Sequence, residues 1–321
     1  MKDWLATLIA QVEGGAPVVR VVVARIRGSA PREEGTCMLV TAGAVLGTIG
    51  GGHLEHVGIA TARGMLAPSS SAIRTDRYSL GASLGQCCGG IVELAFVRYD
   101  AADLEFLAQA RAARGPRVRL ATRLDAGPGP KIQRLLQEGD RAARGAEAGE
   151  LVEALAMDLT PLAIFGAGHV GRALVSVLAD LPFAITWIDS REGVFPAATP
   201  DDIACRECAD PAAEAAALPG TAWALVMTHS HDEDYAICEA LLRSGGDGWI
   251  GLIGSQPKAT RFRQRLARRG FDAATIARIA SPIGIGGIAS KAPAAIAVGV
   301  AAQLLRLREA AEAAAGQART A

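Results

Sequence analysis

PLAIFGAGHVGRALVSVLADLPFAITWID, Pro161 to Asp189, decides the fold of the second half of the chain. An apolar run opens directly into Gly166-Ala167-Gly168-His169-Val170-Gly171, a G-x-G-x-x-G spacing. RALVSVLADL then carries apolar residues at helical intervals, and FAITWID closes on an acid. Strand, glycine turn, helix, strand and terminal carboxylate in this order mark a Rossmann-type unit. Such a turn aims backbone N–H groups of a helix N-terminus at an anion. Gly166, Gly168, His169, Gly171 and Asp189 are therefore candidate cofactor-binding residues, for NAD(P) or for another phosphate. Arg191, just beyond, either receives an extra phosphate or stands as a solvated charge.

Downstream the same grammar repeats. AWALVMTHS (222–230) and GWIGLIG (248–254) read as further strands separated by helices, which predicts a doubly wound parallel sheet over residues 161–308. VMTHSHDED, Val226 to Asp234, has the look of the first ligand set of a metallo-hydrolase. The chain has only five histidines, however, and none follows His231. His229 and His231 are better placed at the carboxyl end of a central strand, where open α/β sheets bind ligands. Gly254 and Ser255, with Lys258 and Arg261 on the next helix, form another expected anion seat. Cys205-x-x-Cys208 has no second pair and reads as incidental.

Upstream, Trp4, Leu5, Leu8, Ile9 and Val12 predict an amphipathic first helix, with no cleavage site of a secretory leader. PVVRVVVARIRGSAPREEG and TCMLVTAG read as strands. In VLGTIGGGHLEHVGIATARGML, Gly50, Gly51 and Gly52 separate a strand from a helix, so this turn too is expected to present N–H groups to an anion. His53 and Glu55 follow it directly. The expected organisation is a mixed α+β domain at 1–138, a glycine- and alanine-rich linker at 139–160, the Rossmann-like domain at 161–308 and a tail at 309–321.

Lysine plus arginine equals aspartate plus glutamate, 33 against 33, so no global field draws nucleic acid. The apolar run Ala292–Leu305 is too short to span a membrane. A cytoplasmic location is the expectation. Six cysteines in 321 residues do not make a disulfide scaffold. Cys87 and Cys88, set among glycines in SLGQCCGGIVEL, offer an approachable thiolate for a metal or for sulfur chemistry, or else pack as small hydrophobes.

GSAPREEGTCMLV, GTIGGGHLE, LGQCCGGIVEL, IFGAGHVGRALV, THSHDEDYAICEALL, IGLIGSQPKATRFRQRL and SPIGIGGIASKAPAAIAVGVAAQLL, taken in order, resemble the XdhC family of xanthine dehydrogenase accessory proteins. The resemblance implies an XdhC/CoxI-type N-terminal domain followed by a Rossmann-like one. It implies a chaperone and not a conventional enzyme: a protein that binds the molybdenum cofactor, assists its sulfuration by a cysteine desulfurase, and inserts it into apo xanthine dehydrogenase. It further implies contact with molybdenum cofactor biosynthesis proteins, and a homodimer. Under this reading Cys87, with Cys88 beside it, meets the cofactor's molybdenum, and His53 and Glu55 belong to the same site. Two other functions stay open from the residues: an NAD(P)-dependent oxidoreductase using GAGHVG, and a metallo-hydrolase using THSHDED.

Overall fold

The structure, a computed structural model, describes residues 3–67, 73–81, 89–113, 118–124, 132–138, 145–147, 150–155, 158–200 and 202–320. The chain divides into two units, Met1–Asp158 and Leu159–Ala321.

In the first unit, α1 (Trp4–Glu13) starts at Asp3, whose carboxylate accepts the Ala6 N–H at 2.9 Å. The stripe Trp4, Leu5, Leu8, Ile9 and Val12 is buried, as its spacing predicts. Five strands form an antiparallel sheet: β1 (Val18–Arg27), β2 (Cys37–Val40), β3 (Val45–Gly47), β4 (Ile73–Ser79) and β5 (Ile91–Tyr99), in the order β3-β2-β1-β5-β4. Successive side chains of a strand face opposite ways. Val19, Val21 and Val23 accordingly pack in one core with Leu54 and Ala62 of α2 (Gly52–Gly64). Val18 and Val22 pack in the other, with α1, Leu107 and Ala110 of α3 (Leu104–Ala112), and Leu120 and Leu151.

Those last two leucines belong to a second antiparallel sheet: β6 (Val118–Leu124), β7 (Ile132–Glu138), β8 (Gly145–Glu147) and β9 (Glu150–Ala154), in the order β7-β6-β9-β8. Arg20 on β1 reaches Glu153 on β9 at 2.6 Å, and its guanidinium carbon lies 3.5 Å from the Trp4 ring centroid. Part of the stretch read as a linker is thus sheet. Leu151 and Leu155 carry its apolar side into the core, a short alternation that the surrounding glycines and alanines obscure in the sequence.

The second unit is the doubly wound fold that Pro161–Asp189 announces. Its strands are β10 (Thr160–Phe165), β11 (Phe183–Asp189), β12 (Ala204–Glu207), β13 (Trp223–Val226), β14 (Ile250–Leu252) and β15 (Ile279–Ala280). All pair in parallel, in the order β12-β11-β10-β13-β14-β15. The helices are α4 (His169–Leu178), α5 (Pro211–Ala216), α6 (His231–Arg243), α7 (Gln256–Arg268), α8 (Ala273–Ala277) and α9 (Pro293–Thr320). Ala297, Val300, Ala301 and Leu304 of α9 share a core with Leu174, Val175 and Leu178 of α4. The residues read as a tail, up to Thr320, continue this helix. Strand order reverses between β10 and β13, and that switch point opens a crevice at their carboxyl ends. Among the described residues, no helix is long and apolar enough to cross a membrane.

Candidate functional site

The crevice of the second unit begins where β10 ends. Gly166 has φ +116°, and a Cβ there would lie 2.3 Å from the Met227 carbonyl oxygen after β13. A Cβ on Gly171 would lie 2.1 Å from the Gly166 carbonyl oxygen. Close approach of the turn after β13 at Gly166, and of α4 to the end of β10 at Gly171, therefore demands glycine at both positions. Gly168 is the N-cap of α4 and supplies no side chain to its N-terminal N–H groups. His169 opens the helix. His229 is exposed on the neighbouring turn after β13, and His231, also exposed, opens α6. The crevice thus brings together Gly166, Gly168, His169 and the turn that carries His229.

Asp189 ends β11 as expected, but its oxygens are already engaged. The side chain is 2% exposed. Oδ2 accepts the Ala167 N–H at 2.6 Å and Arg191 Nη2 at 2.8 Å, while Oδ1 accepts Arg191 N at 3.0 Å and Nε at 2.9 Å. A carboxylate offers about four acceptor positions, and protein donors fill them. Burial pushes this carboxyl upward, yet the Arg191 side chain and the two backbone N–H groups outweigh it and hold the pKa at about 2. Arg191 is spent on Asp189 instead of facing an added phosphate. Beside it, Ser190 donates to Glu233 of α6 at 2.7 Å, which ties the turn after β11 to the first turn of α6. In a Rossmann unit an acid in this place accepts a ribose hydroxyl; here it braces the glycine turn.

Of THSHDED, Asp234 turns inward while His229, His231 and Asp232 stay exposed. Ser230 caps α6, and Asp234 is 1% exposed. Asp234 Oδ1 accepts the Thr228 N–H at 2.9 Å and hydroxyl at 2.8 Å, and Oδ2 accepts Lys258 Nζ at 2.5 Å. Lys258 also donates to the Ile253 carbonyl at 2.9 Å and packs against Gly254. The lysine expected to seat an anion beside Gly254 and Ser255 is instead half of a buried ion pair between α7 and α6. Among the described residues no three His, Cys, Asp or Glu side chains are placed to hold a metal ion. Burial pushes the Cys205 and Cys208 thiols upward, away from thiolate character.

In the first unit Gly50, Gly51 and Gly52 have φ of +118°, +74° and +67°, a left-handed run that only glycine tolerates. Its anion is internal. Glu55 Oε2 accepts the Thr48 hydroxyl at 2.5 Å and the N–H groups of Ile49 at 3.0 Å and Gly51 at 3.1 Å. Burial raises this carboxyl, but the Thr48 hydroxyl and the turn's N–H groups lower it further, for a net downward shift. His53 and His56 are exposed, with ring centroids 6.4 Å apart. Cys87 and Cys88 lie outside the described residues.

Sequence reasoning singled out Glu55, Asp189 and Lys258 but missed what engages them: Thr48, the Ala167 N–H, and Asp234, 24 residues away from its lysine. A hydroxyl two residues before a glycine run, with an acid five residues after that run starts, is a signal for the first. No local pattern announces the last.

The XdhC Rossmann domain model matches residues 162–304, and the XdhC and CoxI family model matches residues 11–79. The Escherichia coli protein YqeB is 23% identical over 299 residues, which are 92% of this chain; the chain spans 44% of that relative's length. A Bacillus halodurans crystal structure, described as a xanthine dehydrogenase, superposes with a TM-score of 0.75 at 21% identity, covering 97% of this chain and 96% of the other.

Proposed function

Because the chain belongs to the XdhC family, we propose that it is an accessory protein of xanthine dehydrogenase maturation that binds the molybdenum cofactor and passes it to the apoenzyme. The observation that carries this reading is the matching of both family models, in order, along one chain. Among the described residues, the donor set that fits the cofactor's phosphate is the uncapped N-terminus of α4, with Gly168 open beside it. The glycine turn at 50–52 does not fit, since Glu55 occupies it. When bound, the cofactor supplies the molybdenum and dithiolene on which hydroxylase chemistry depends. In the second unit this chain's part is to hold the cofactor, α4 N–H groups to its phosphate and His229 to an anionic edge. The resemblance separately assigns a thiolate of Cys87 or Cys88, which lie outside the described residues, to molybdenum or to the sulfane sulfur of a desulfurase persulfide. A cysteine desulfurase is the sulfur donor in this reading.

The test incubates the purified chain with free cofactor, then measures molybdenum and pterin that co-elute with the protein, and transfer to apo xanthine dehydrogenase. Saturable retention and transfer are expected, weakened by Cys87→Ala or Cys88→Ala. Normal retention in the double variant removes the thiolate role, and no retention by the unaltered chain removes the whole proposal. The oxidoreductase reading is weakened by the filled carboxylate of Asp189. Calorimetric titration with NAD and NADP is expected to show no saturable binding.

A further inference from the structure

The two sheets of the first unit share a core that is not purely apolar, because pairing register places polar side chains in it from both sides. Arg20 on β1 lies opposite Val97, and Tyr99 on β5 lies opposite Val18. Arg20 and Tyr99 are therefore diagonal neighbours on the face that carries Val18 and Val22. On the second sheet Glu153 lies opposite Leu120, and Thr122 lies opposite both Leu151 and Arg134. These share the face whose leucines enter the same core. Arg20 donates to Glu153 at 2.6 Å and so joins the two faces, and the Arg134 guanidinium carbon lies 4.4 Å from the Tyr99 ring centroid. Burial raises the pKa of the Tyr99 phenol, and Arg134, Arg20, Glu153 and Asp103 all act on it, which sets its hydroxyl among these charges.

Tyr99 and Thr122 are fully buried, Arg20 is 1% exposed and Glu153 6%. Yet Arg20 Nε, Tyr99 OH, Thr122 Oγ1, Arg134 Nε and Glu153 Oε1 are buried and, among the described residues, have no hydrogen-bond partner. Buried polar atoms almost always have one, and each left without costs about as much as a lost hydrogen bond. Several at one joint would offset most of the net stability of a domain. The orphaned set holds both donors and acceptors, so a guest that donates and accepts serves all of it. Charge argues against an ion, since Glu153 and Asp103 already match Arg20 and Arg134. We propose that this layer is a binding site for water, a cluster of about two ordered molecules, each making about three hydrogen bonds, through which the second sheet docks on the first. The Arg20–Glu153 pair fixes the register of that joint, and the waters satisfy what the pair leaves open.

The experiment compares the full chain with Thr122→Val and Tyr99→Phe, each of which removes a hydroxyl and keeps the shape of the side chain. Where water bonds the hydroxyl, its removal strands that water and lowers the urea midpoint; where nothing bonds it, removal of an orphaned hydroxyl raises the midpoint. Both variants are expected to fall. Magnetic relaxation dispersion of the water oxygen, which counts internal waters of long residence, is expected to show fewer of them in the double variant than in the unaltered chain. A high-resolution crystal structure of the unaltered chain keeps the test independent of any variant, and is expected to show water in hydrogen-bond reach of Arg20 Nε and Glu153 Oε1. A raised midpoint in either variant overturns the proposal. So does an unchanged water count, or a crystal structure in which the layer is dry or holds an ion or an organic molecule. None of these readings involves the molybdenum cofactor, so the maturation proposal is tested separately.

Discussion

Glu55 and Asp189 are carboxylates that accept hydrogen bonds from the glycine-rich turns of their own units. Each supplies the negative charge that such a turn favours. Removing Glu55 strands the Ile49 N–H beneath a buried residue, along with Gly51 N–H and the Thr48 hydroxyl. Glu55→Ala is therefore expected to destabilise the first unit by about 1–3 kcal/mol, read as faster hydrogen exchange in α2 and its sheet. Asp189→Asn sets an amide N–H₂ against the Arg191 guanidinium and is expected to cost about 2 kcal/mol, read as lost protection in β10 and β11. The sign of the acid dependence follows from the lowered pKa. Asp189 contributes stability that is fully present above its ordinary value of 3.8 and is lost as pH falls toward about 2. The Asn variant should lose part of that slope in acid unfolding curves, and an unchanged curve would count against the bracing role. The residues were legible in the sequence. Their backbone partners, the N–H groups of Ile49, Gly51 and Ala167, were not, because a hydrogen bond to a backbone N–H leaves no side-chain signature.

Strands and helices of the Rossmann-like unit follow from pattern: FAITWID and β11 coincide at Phe183–Asp189. What fixes the turns between them is an ion pair across two elements. Lys258 on α7 and Asp234 on α6 are both nearly buried, at 11% and 1% side-chain exposure. Breaking one partner of a buried pair leaves an uncompensated charge, at a cost of about 3–5 kcal/mol. Lys258→Met should lower stability by that order in chemical denaturation. Asp234→Asn combined with Lys258→Met should recover much of the loss, and a double-mutant cycle measures the coupling. If the double variant falls as far as the two singles added together, the pair carries no coupling. The strands at 145–147 and 150–154 escaped the sequence reading for a different reason. Glycines and alanines there carry little period-2 signal, and only the pairing of 150–154 with β6, and of 145–147 with 150–154, makes them sheet.

Across the whole molecule the formal charge is zero at pH 7, so self-repulsion is weakest near neutrality. Solubility should pass through its minimum there and rise on either side; a flat profile would show that local patches dominate. Local order, the Rossmann-like class and family membership were all determined by the sequence itself. They rest on near-neighbour spacing, on glycine positions and on apolar periodicity, each of which is written along the chain. Only the tertiary structure decided that the two glycine turns already have carboxylates of their own and that Arg191 and Lys258 are paired inward. Those outcomes depend on which residues the winding of the sheets brings together across long separations, and no local rule of spacing carries that information.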